Sequence, residues 1–246
     1  MLKSFIIHGH IPKTFLAISL IPIVKDSNSS RLTSTNYRLI AISSLMLKLF
    51  DHVFIEIFEK NLIPSPYQFG FQKGSSTTMC TWVMTETVNY FRNRGSSVFL
   101  CLLDLSKAFD LVKLPILFQK LRERIPPLFL RFIIYSYTNQ QCSVLWQGQS
   151  STCFSIGNGV RQGAVASPVF FNLYINSLFI ELQNSGCGCY IEGLFHGAMA
   201  YADDISLVSP TRAGLQTLID ICEKHFSYLG ITISTNVIPE KSKTKV

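Results

Sequence analysis

Apolar residues recur every three or four positions over residues 44–62, the spacing of an amphipathic helix, and Pro64 ends the pattern. Residues 75–94 predict a second helix, because Ser and Thr caps open it and Gly95 follows it. Residues 97–105 are a nearly continuous apolar run, which predicts a strand buried on both faces. This strand ends at a carboxylate, Asp104.

The rest of the chain alternates helices with short strands. Helices are predicted over residues 115–124, past Pro126-Pro127 toward residue 139, from Ser167-Pro168 to about residue 183, and over residues 211–228. Strands are predicted over residues 143–146, 152–156, 197–202, 205–208 and 230–234, with a Gln147-Gly148 turn between the first two. The strands on either side of Asp203 and Asp204 predict a hairpin with an acidic tip. This mixture of elements predicts an α+β domain with its carboxylates at strand ends.

Composition predicts a folded domain with an excess of positive charge. Hydrophobic residues make up 48% of the 246 residues, which is ample for a buried core. No run of about 18 apolar residues exists, so neither a membrane span nor a membrane partner is expected. Seven cysteines without a CxxC spacing predict reduced thiols and an intracellular protein, in the nucleus or the cytoplasm. The formal net charge of +7 favours anionic partners.

Three carboxylates are the candidate chemistry. Asp104 and the Asp203-Asp204 pair meet at one sheet edge if their strands are neighbours, and cations must then offset their repulsion. Hard divalent ions with oxygen ligands fit this need, and two of them about 4 Å apart can assist an in-line phosphoryl transfer. The pattern is therefore compatible with nucleotidyl transfer. Taken singly, each carboxylate is weak evidence, because an Asp at a strand end is common as a helix cap or turn residue and an Asp-Asp hairpin tip is usually just solvated.

Several ordered motifs sharpen this interpretation. The segments are QFGFQKGSSTT at 68–78, LDLSKAFD at 103–110, GVRQG at 159–163 with Ser167-Pro168, and AYADDI at 200–205. NYRLI at 36–40 and KSKTK at 241–245 flank them. In order and spacing these motifs resemble the reverse-transcriptase family, in particular the enzymes of non-LTR (LINE-like) retrotransposons. The resemblance covers nearly all of residues 11–246.

The resemblance implies a polymerase right hand reduced to fingers and palm, with an antiparallel palm sheet packed on helices and no thumb. Fingers are expected at about 1–97 and 111–157, and palm at about 98–110 and 158–246. The implied activity is RNA-directed DNA polymerisation, with an RNA template, a DNA primer and deoxynucleoside triphosphates as partners. Protein partners are not predicted. The chain is expected to be truncated at both ends relative to the longer transposon protein.

The motif positions imply a metal centre. Asp104 and Asp203 match the family's metal-binding aspartates, Asp204 is the third carboxylate, and the Leu105 carbonyl is an extra oxygen ligand beside the nucleotide. The expected cofactor is a pair of Mg²⁺ ions, with Mn²⁺ as the alternative. Lys243 resembles a late lysine near the leaving pyrophosphate. Its other reading is a solvated basic tail.

Further positions imply contacts with the incoming nucleotide. Phe109 matches the bulky residue under the sugar, where a ring would clash with a 2′-hydroxyl; ordinary core packing is the alternative role. Gln162 and Gly163 match the loop that lies against the nucleotide and the template base, where glycine permits close backbone approach.

The chain departs from the family pattern in the segment expected to grip the triphosphate. Gln72 stands where the family usually has Arg, and Ser75 where it often has a basic residue. Lys73 is expected to substitute in part for the missing bidentate arginine. Leu39 replaces the usual proline of the NYR motif.

These departures keep a second hypothesis open: a catalytically inactive transposon remnant that folds and at most binds nucleic acid. A metal-dependent nuclease or nucleotide cyclase is a third hypothesis, and it would need different motifs around the carboxylates.

Overall fold

The computed structural model describes residues 2–27 and 29–234. The helices are α1 (Leu2–His8), α2 (Leu45–Phe58), α3 (Thr77–Arg92), α4 (Leu114–Arg122), α5 (Pro127–Thr138), α6 (Ser167–Asn184) and α7 (Arg212–Leu229). The strands are β1 (Ala17–Val24), β2 (Tyr37–Ile42), β3 (Phe99–Ser106), β4 (Gln141–Trp146), β5 (Gln149–Ser150), β6 (Tyr190–Ile191), β7 (Leu194–Phe195), β8 (Ala198–Tyr201), β9 (Asp204–Ser209) and β10 (Thr232–Ile233). Short 3-10 helices lie at Lys13–Leu16, Ser34–Asn36 and Glu59–Asn61.

The elements form two compact units, each made from two separate stretches of chain. The first unit contains the described residues up to Ile63 together with Lys113–Phe170. Its sheet has the strand order β2-β1-β4-β5, with β1 antiparallel to β2 and parallel to β4. Helices α1 and α4 pack on α5. An aromatic core in the same unit pairs Phe50 of α2 with Phe132 of α5, at 4.0 Å between ring centroids.

The second unit contains Pro64–Val112 together with the described residues from Phe171 onward. Its sheet has the order β10-β3-β9-β8, and every neighbouring pair is antiparallel. Helix α7 packs on β3 and β9, and α3 packs on β8. The strands β6 and β7 form a separate small ribbon. This antiparallel sheet packed on helices carries the Asp104 and Asp203-Asp204 motifs.

The predicted helices and the α+β class are confirmed. Side-chain caps explain three of the helix starts: Ser44, Ser76 and Thr211 each accept a hydrogen bond from a backbone N–H in the first turn. Gly230 ends α7 in the left-handed conformation, with φ 77°. No helix within residues 2–27 and 29–234 is long and apolar enough to cross a membrane.

Two strand predictions are wrong in part. Residues 152–156 form no regular strand; β5 pairs with β4 instead, and Phe154 makes only an isolated bridge to Cys142. The strand of residues 97–105 is not buried on both faces along its length. Leu102 is 38% exposed while Cys101 and Leu103 are buried, so the face of β3 that carries Leu102 is accessible to solvent at this position.

The predicted boundaries between fingers and palm stay a prediction. Both the predicted division and the observed units are discontinuous along the chain. Residues 64–97, which the prediction assigned to the fingers, belong to the second unit, and residues 158–170, which it assigned to the palm, belong to the first.

Candidate active site

Three acidic residues meet at one end of the sheet in the second unit. Strands β3 and β9 pair so that Asp104 lies directly opposite Asp204. Facing positions in an antiparallel pair have Cβ atoms about 4.5–5.5 Å apart. On the other side of β9, Tyr201 faces Asp204, so only Ala202 and Asp203 form the connecting turn. The polypeptide therefore brings Asp104 beside Asp203-Asp204 across about a hundred residues of sequence, as the motif order predicts.

The carboxylates lie on a face that becomes more open along β3. Alternate residues of a strand share one face, so Leu100, Leu102 and Asp104 point the same way. The Leu100 end is covered by an apolar cluster around Cys189, Met199 and Val208. Leu102 is exposed and Asp104 is partly buried. Solvent and polar ligands thus have access at the end where the aspartates lie.

The turn that carries Asp203 has an uncommon backbone. Ala202 has φ 60°, a left-handed conformation that side chains other than glycine adopt at a cost. A positive φ at the first central residue alone is the pattern of a type II′ hairpin turn. The Gln68 side chain holds this residue: its Oε1 accepts from the Ala202 amide at 2.9 Å, and its Nε2 donates to the Ala202 carbonyl at 3.0 Å.

The donor set at this edge fits a hard divalent ion. All the candidate ligand atoms are oxygens, which Mg²⁺ and Mn²⁺ accept. With the side chains as they stand, no group of three or more His, Cys, Asp or Glu residues in the described part of the chain could hold a metal ion. Facing strand positions are nevertheless close enough for two carboxylates to converge by rotamer changes.

The backbone of β3 adds a further oxygen. The Asp104 carbonyl accepts a hydrogen bond from the Ser234 amide at 2.7 Å, on the β10 side of the strand. Successive carbonyls of a strand point to opposite sides. The Leu105 carbonyl therefore points toward the side on which β9 begins, next to the Asp203 turn. Its role as an extra ligand stays a prediction.

Phe109 lies in a row of three aromatic rings. Its ring stacks on Phe171 at 4.7 Å between centroids, with 18° between the planes. Phe71 meets it edge-on at 6.1 Å. Phe109 is only partly buried, so packing fixes its ring while part of the side chain stays accessible. The two alternative roles, core packing and contact with a nucleotide sugar, are thus compatible in one residue.

Gln72, which stands where the family usually has arginine, makes hydrogen bonds to the backbone of its own segment. The Gln72 amide donates to the backbone carbonyls of Ser65 and Gln68. Gln72 therefore stabilises the local backbone. Lys73 is exposed on the following turn, in the same unit as the carboxylates.

In the first unit, the predicted nucleotide-contact loop is held by backbone and by a buried arginine. The Gln162 carbonyl accepts from the Ala41 amide of β2 at 2.7 Å. Gly163 has φ 95°, and a Cβ at this position would lie 3.1 Å from a methyl group of Ile40. Arg161 is 7% exposed and donates to the Gln140 side chain at 3.0 Å and to the Ser136 carbonyl at 2.8 Å.

A buried carboxylate accompanies Arg161. The guanidinium carbon lies 4.3 Å from the centre of the Tyr137 ring. Asp51 of α2 accepts from the Ala166 amide at 3.3 Å. Burial raises the pKa of Asp51 above its ordinary value of 3.8, although the nearby Arg161 charge and the Ala166 amide lower it. Burial therefore affects the pKa of Asp51 more than the Arg161 charge does.

The structure divides the predicted site residues between the units. Asp104, Leu105, Asp203, Asp204, Phe109 and Lys73 belong to the second unit, and Gln162 and Gly163 to the first. Lys243 lies outside the described residues. Sequence patterns predict no role for Gln68, Arg161 or Asp51. Gln68 and Arg161 stand within the quoted motifs, but nothing in the residue types alone indicates what either side chain contacts.

Comparison with known proteins agrees with the motifs. The family model for reverse transcriptase (RNA-dependent DNA polymerase) matches residues 23–244. A Pol polyprotein from the type-2 retrotransposable element R2DM of Drosophila melanogaster is 27% identical over 233 residues, which is 93% of this chain and 21% of the relative. The RNA-directed DNA polymerase from the mobile element jockey of Drosophila funebris is 27% identical, covering 82% of this chain and 22% of the relative. The chain thus spans about a fifth of the length of these relatives.

Solved structures show the same fold. Apo telomerase from Candida tropicalis, truncated from its C-terminal domain, superposes with a TM-score of 0.65 at 12% identity, covering 96% of this chain and 51% of that one. Telomerase from Candida albicans, in complex with a fragment of telomeric RNA, gives a TM-score of 0.61 at 12% identity, covering 99% of this chain and 45% of that one. With its family match across nearly the whole sequence, the chain belongs to the reverse transcriptase (RNA-dependent DNA polymerase) family.

Proposed function

We propose that this chain is the core of an RNA-directed DNA polymerase that adds deoxynucleotides to a primer 3′-hydroxyl. The observation that carries the proposal is the register of β3 and β9, which sets Asp104 opposite Asp204 with Asp203 in the adjoining turn. Mutual repulsion among three carboxylates at one end of the sheet raises the free energy of the folded protein unless cations offset it. That arrangement is what nucleotidyl transfer with divalent ions requires.

Each residue has a proposed part in the chemistry. Asp104 and Asp203 hold two Mg²⁺ ions, or Mn²⁺ in their place, with Asp204 and the Leu105 carbonyl as additional oxygens. When bound, such ions supply the positive charge that activates an attacking hydroxyl and stabilises a leaving oxygen. The carboxylates orient the cations, and Lys243 is proposed to stabilise the departing pyrophosphate.

Nucleotide selection is assigned to the aromatic row and the glycine loop. Phe109, braced by Phe171, is proposed to lie under the sugar and to exclude a 2′-hydroxyl. Lys73 is proposed to contact the triphosphate. Gln162 and Gly163 are proposed to contact the nucleotide and the template base. If Phe109 selects the sugar, Phe109→Ala narrows the preference for deoxynucleotides over ribonucleotides in single-nucleotide extension, and an unchanged preference refutes this assignment.

The proposed partners are an RNA template, a DNA primer and deoxynucleoside triphosphates. Two relatives support this assignment: the jockey protein is an RNA-directed DNA polymerase, and the Candida albicans telomerase is bound to telomeric RNA. The formal net charge of +7 suits binding to phosphate backbones. Residues 1–97 with 111–157 are proposed as fingers, and 98–110 with 158–246 as palm.

Primer extension on an RNA template tests the proposal. The 246-residue chain is expected to extend a DNA primer with deoxynucleotides and Mg²⁺, and Asp203→Asn is expected to abolish extension because a metal-binding carboxylate is lost. Asp220→Asn is the matched control, since this exposed carboxylate of α7 bonds only Gln216 among the contacts found for its side chain. It should leave extension unchanged.

The outcome separates the proposal from its alternative. An absence of extension by the wild-type chain at high protein concentration and low salt contradicts polymerase activity. If the chain then binds RNA in a salt-dependent manner that Asp203→Asn leaves unchanged, it is a non-enzymatic remnant of a transposon protein.

A further inference from the structure

We propose that Gln68 is a positioning residue for the metal centre, acting through the turn that carries Asp203. The inference rests on the proposed function, because it assigns Gln68 to the same carboxylate site. Gln68 belongs to the segment before α3, and it contacts a turn that lies 134 residues away in the sequence. The hydrogen bonds found for its side chain go to backbone groups, and through them it determines where the adjacent carboxylate lies.

The hydrogen bonds of Gln68 hold Ala202 from both sides. The side chain is 1% exposed. Its Oε1 accepts from the Ala202 amide at 2.9 Å and from the Gly70 amide at 2.8 Å, while its Nε2 donates to the Ala202 carbonyl at 3.0 Å. The amide thus pairs with both polar groups of one residue, as a neighbouring strand would.

Ala202 needs this support because its backbone is unfavourable for alanine. Its φ of 60° lies in the left-handed region, where the Cβ of an L-residue is crowded. Asp203 follows directly, so a relaxation of Ala202 to negative φ would redirect the Asp203 side chain. A residue held in an unfavourable conformation beside a proposed site persists only when its surroundings determine it strongly.

Gln68 itself is held in place by its own segment, residues 67–70, which we call the platform. The Phe69 amide donates to the Ala200 carbonyl at 2.7 Å, and the Ala200 amide donates to the Tyr67 carbonyl at 2.8 Å, which joins this segment to β8. The Gly70 carbonyl accepts from the Nδ2 of Asn172, on α6, at 2.9 Å. A Cβ at Gly70 would overlap the Ala202 nitrogen, so only glycine permits this approach. The platform and the Asp203 turn are therefore in direct contact.

Direct Mn²⁺ binding tests the inference without requiring catalysis. The fraction of free Mn²⁺ is measured by electron paramagnetic resonance as the full chain is titrated. Gln68→Met keeps the length of the side chain but removes all its hydrogen bonds, and we expect it to weaken Mn²⁺ binding about 10–100-fold, as loss of residues that orient ligands does. Gln68→Asn is a milder second variant, because the shortened amide cannot reach both Gly70 and Ala202.

Two further variants separate positioning from general stability. Ser209→Ala removes a buried side-chain bond to the Thr211 amide at the far end of β9, and it should leave Mn²⁺ affinity unchanged. Ala202→Gly added to Gln68→Met should recover part of the lost affinity, since glycine adopts positive φ without help. Because glycine at a positive φ can also raise stability, the unfolding free energy of each variant is measured beside its Mn²⁺ affinity, and affinities are compared only under conditions in which every variant is folded.

The outcomes distinguish this inference from the proposed function. Wild-type Mn²⁺ binding that Asp203→Asn weakens, but that folded Gln68→Met and Gln68→Asn leave unchanged, refutes the role of Gln68 and leaves the metal centre intact. Absence of recovery with Ala202→Gly also contradicts positioning through the turn. If the wild-type chain binds no Mn²⁺, or if Asp203→Asn does not affect binding, both the metal centre and the inference are wrong.

Discussion

Two loops with proposed roles at the active site are each held by one buried polar side chain, but the chemistry differs. Gln68 holds the Asp203 turn with a neutral amide, and the bonds found for it go to backbone groups of Gly70 and Ala202. Arg161 holds the loop of residues 159–163 with a charged group, and its neighbours include two side chains and a carbonyl. The difference lies in what each side chain needs in order to be buried.

A buried amide needs hydrogen bonds, whereas a buried charge also needs compensation. The side-chain amide of Gln68 has hydrogen-bond partners in the neighbouring backbone of Gly70 and Ala202. These contacts position the Asp203 turn, and they do not titrate. Arg161 donates hydrogen bonds to the Ser136 carbonyl in α5 and to the Gln140 side chain after α5, and Asp51 in α2 attracts its charge. The glycine loop is therefore tied to the core of its unit. The support that Arg161 gives the glycine loop should depend on pH and on single charges, while the support that Gln68 gives the Asp203 turn should not.

Removal of the charge should have the largest effect. Arg161→Met removes the larger of the positive charges that act on the buried Asp51, and it removes the donor to the Gln140 and Ser136 oxygens. We expect the free energy of unfolding, measured with urea, to fall by about 3 kcal/mol. The same change should raise the pKa of Asp51 further, because the Arg161 charge is one of the causes that lower it.

A double variant sharpens this prediction. Asp51→Asn combined with Arg161→Met removes both charges, and it should be more stable than Arg161→Met alone. Arg122→Met makes the same replacement at an exposed position of α4 and should change stability by less than about 0.5 kcal/mol. Strictly additive losses in the double variant would show that Asp51 and Arg161 are not coupled.

The glycines of the two loops should differ next. Gly70→Ala places a methyl group against the Ala202 backbone nitrogen, which cannot move without shifting the turn; we expect a loss of about 2 kcal/mol and weaker Mn²⁺ binding. Gly163→Ala costs about 1 kcal/mol, because φ is 95° but the neighbouring Ile40 methyl can give way. It should leave Mn²⁺ affinity unchanged, since the carboxylates are in the other unit.

Gly157→Ala serves as the control for both, because its φ is not in the left-handed region and no atom lies within 4 Å of an added Cβ. Its stability should stay close to that of the wild type. Equal effects of Gly70→Ala and Gly163→Ala on Mn²⁺ binding would remove the proposed distinction between the loops.

Local patterns predicted most helices and the Asp104–Asp204 meeting. The period of the apolar residues in α2 and the caps at Ser76 and Thr211 are signals within a few residues, so they can be read without knowing the fold. The meeting of the carboxylates followed from two strands that end in acidic motifs, provided that the strands are neighbours. The structure supplied that condition through the β3–β9 register.

Non-local contacts could not be predicted in the same way. No strand is predicted for the apolar stretch of β1, which carries Pro22. In the structure, this stretch is a strand that pairs with β2 on one side and with β4 on the other. Nothing in the Gln68 side chain indicates a bond to a residue 134 positions later. Nor does the sequence show that the arginine of the GVRQG motif acts electrostatically on Asp51. Such contacts depend on how elements pack, which single-residue propensities do not determine.

Titration of Asp51 should give the smallest effect and a clear sign. Burial raises its pKa in the folded protein above 3.8, so the folded state binds the proton more tightly than the unfolded chain. The stability contributed by Asp51 is then fully present below pH 3.8 and is lost as pH rises through the raised pKa. The difference in unfolding free energy between wild type and Asp51→Asn should fall with rising pH in that window, by at most about 1.4 kcal/mol per pH unit. Gln68→Met should show no such slope, because glutamine does not titrate. A difference for Asp51→Asn that is flat with pH would mean that the nearby charges and backbone hydrogen bonds cancel the effect of burial on the pKa, and a difference that rises would mean that they outweigh it. Either result would contradict the predicted difference in pH dependence between the Arg161 and Gln68 supports.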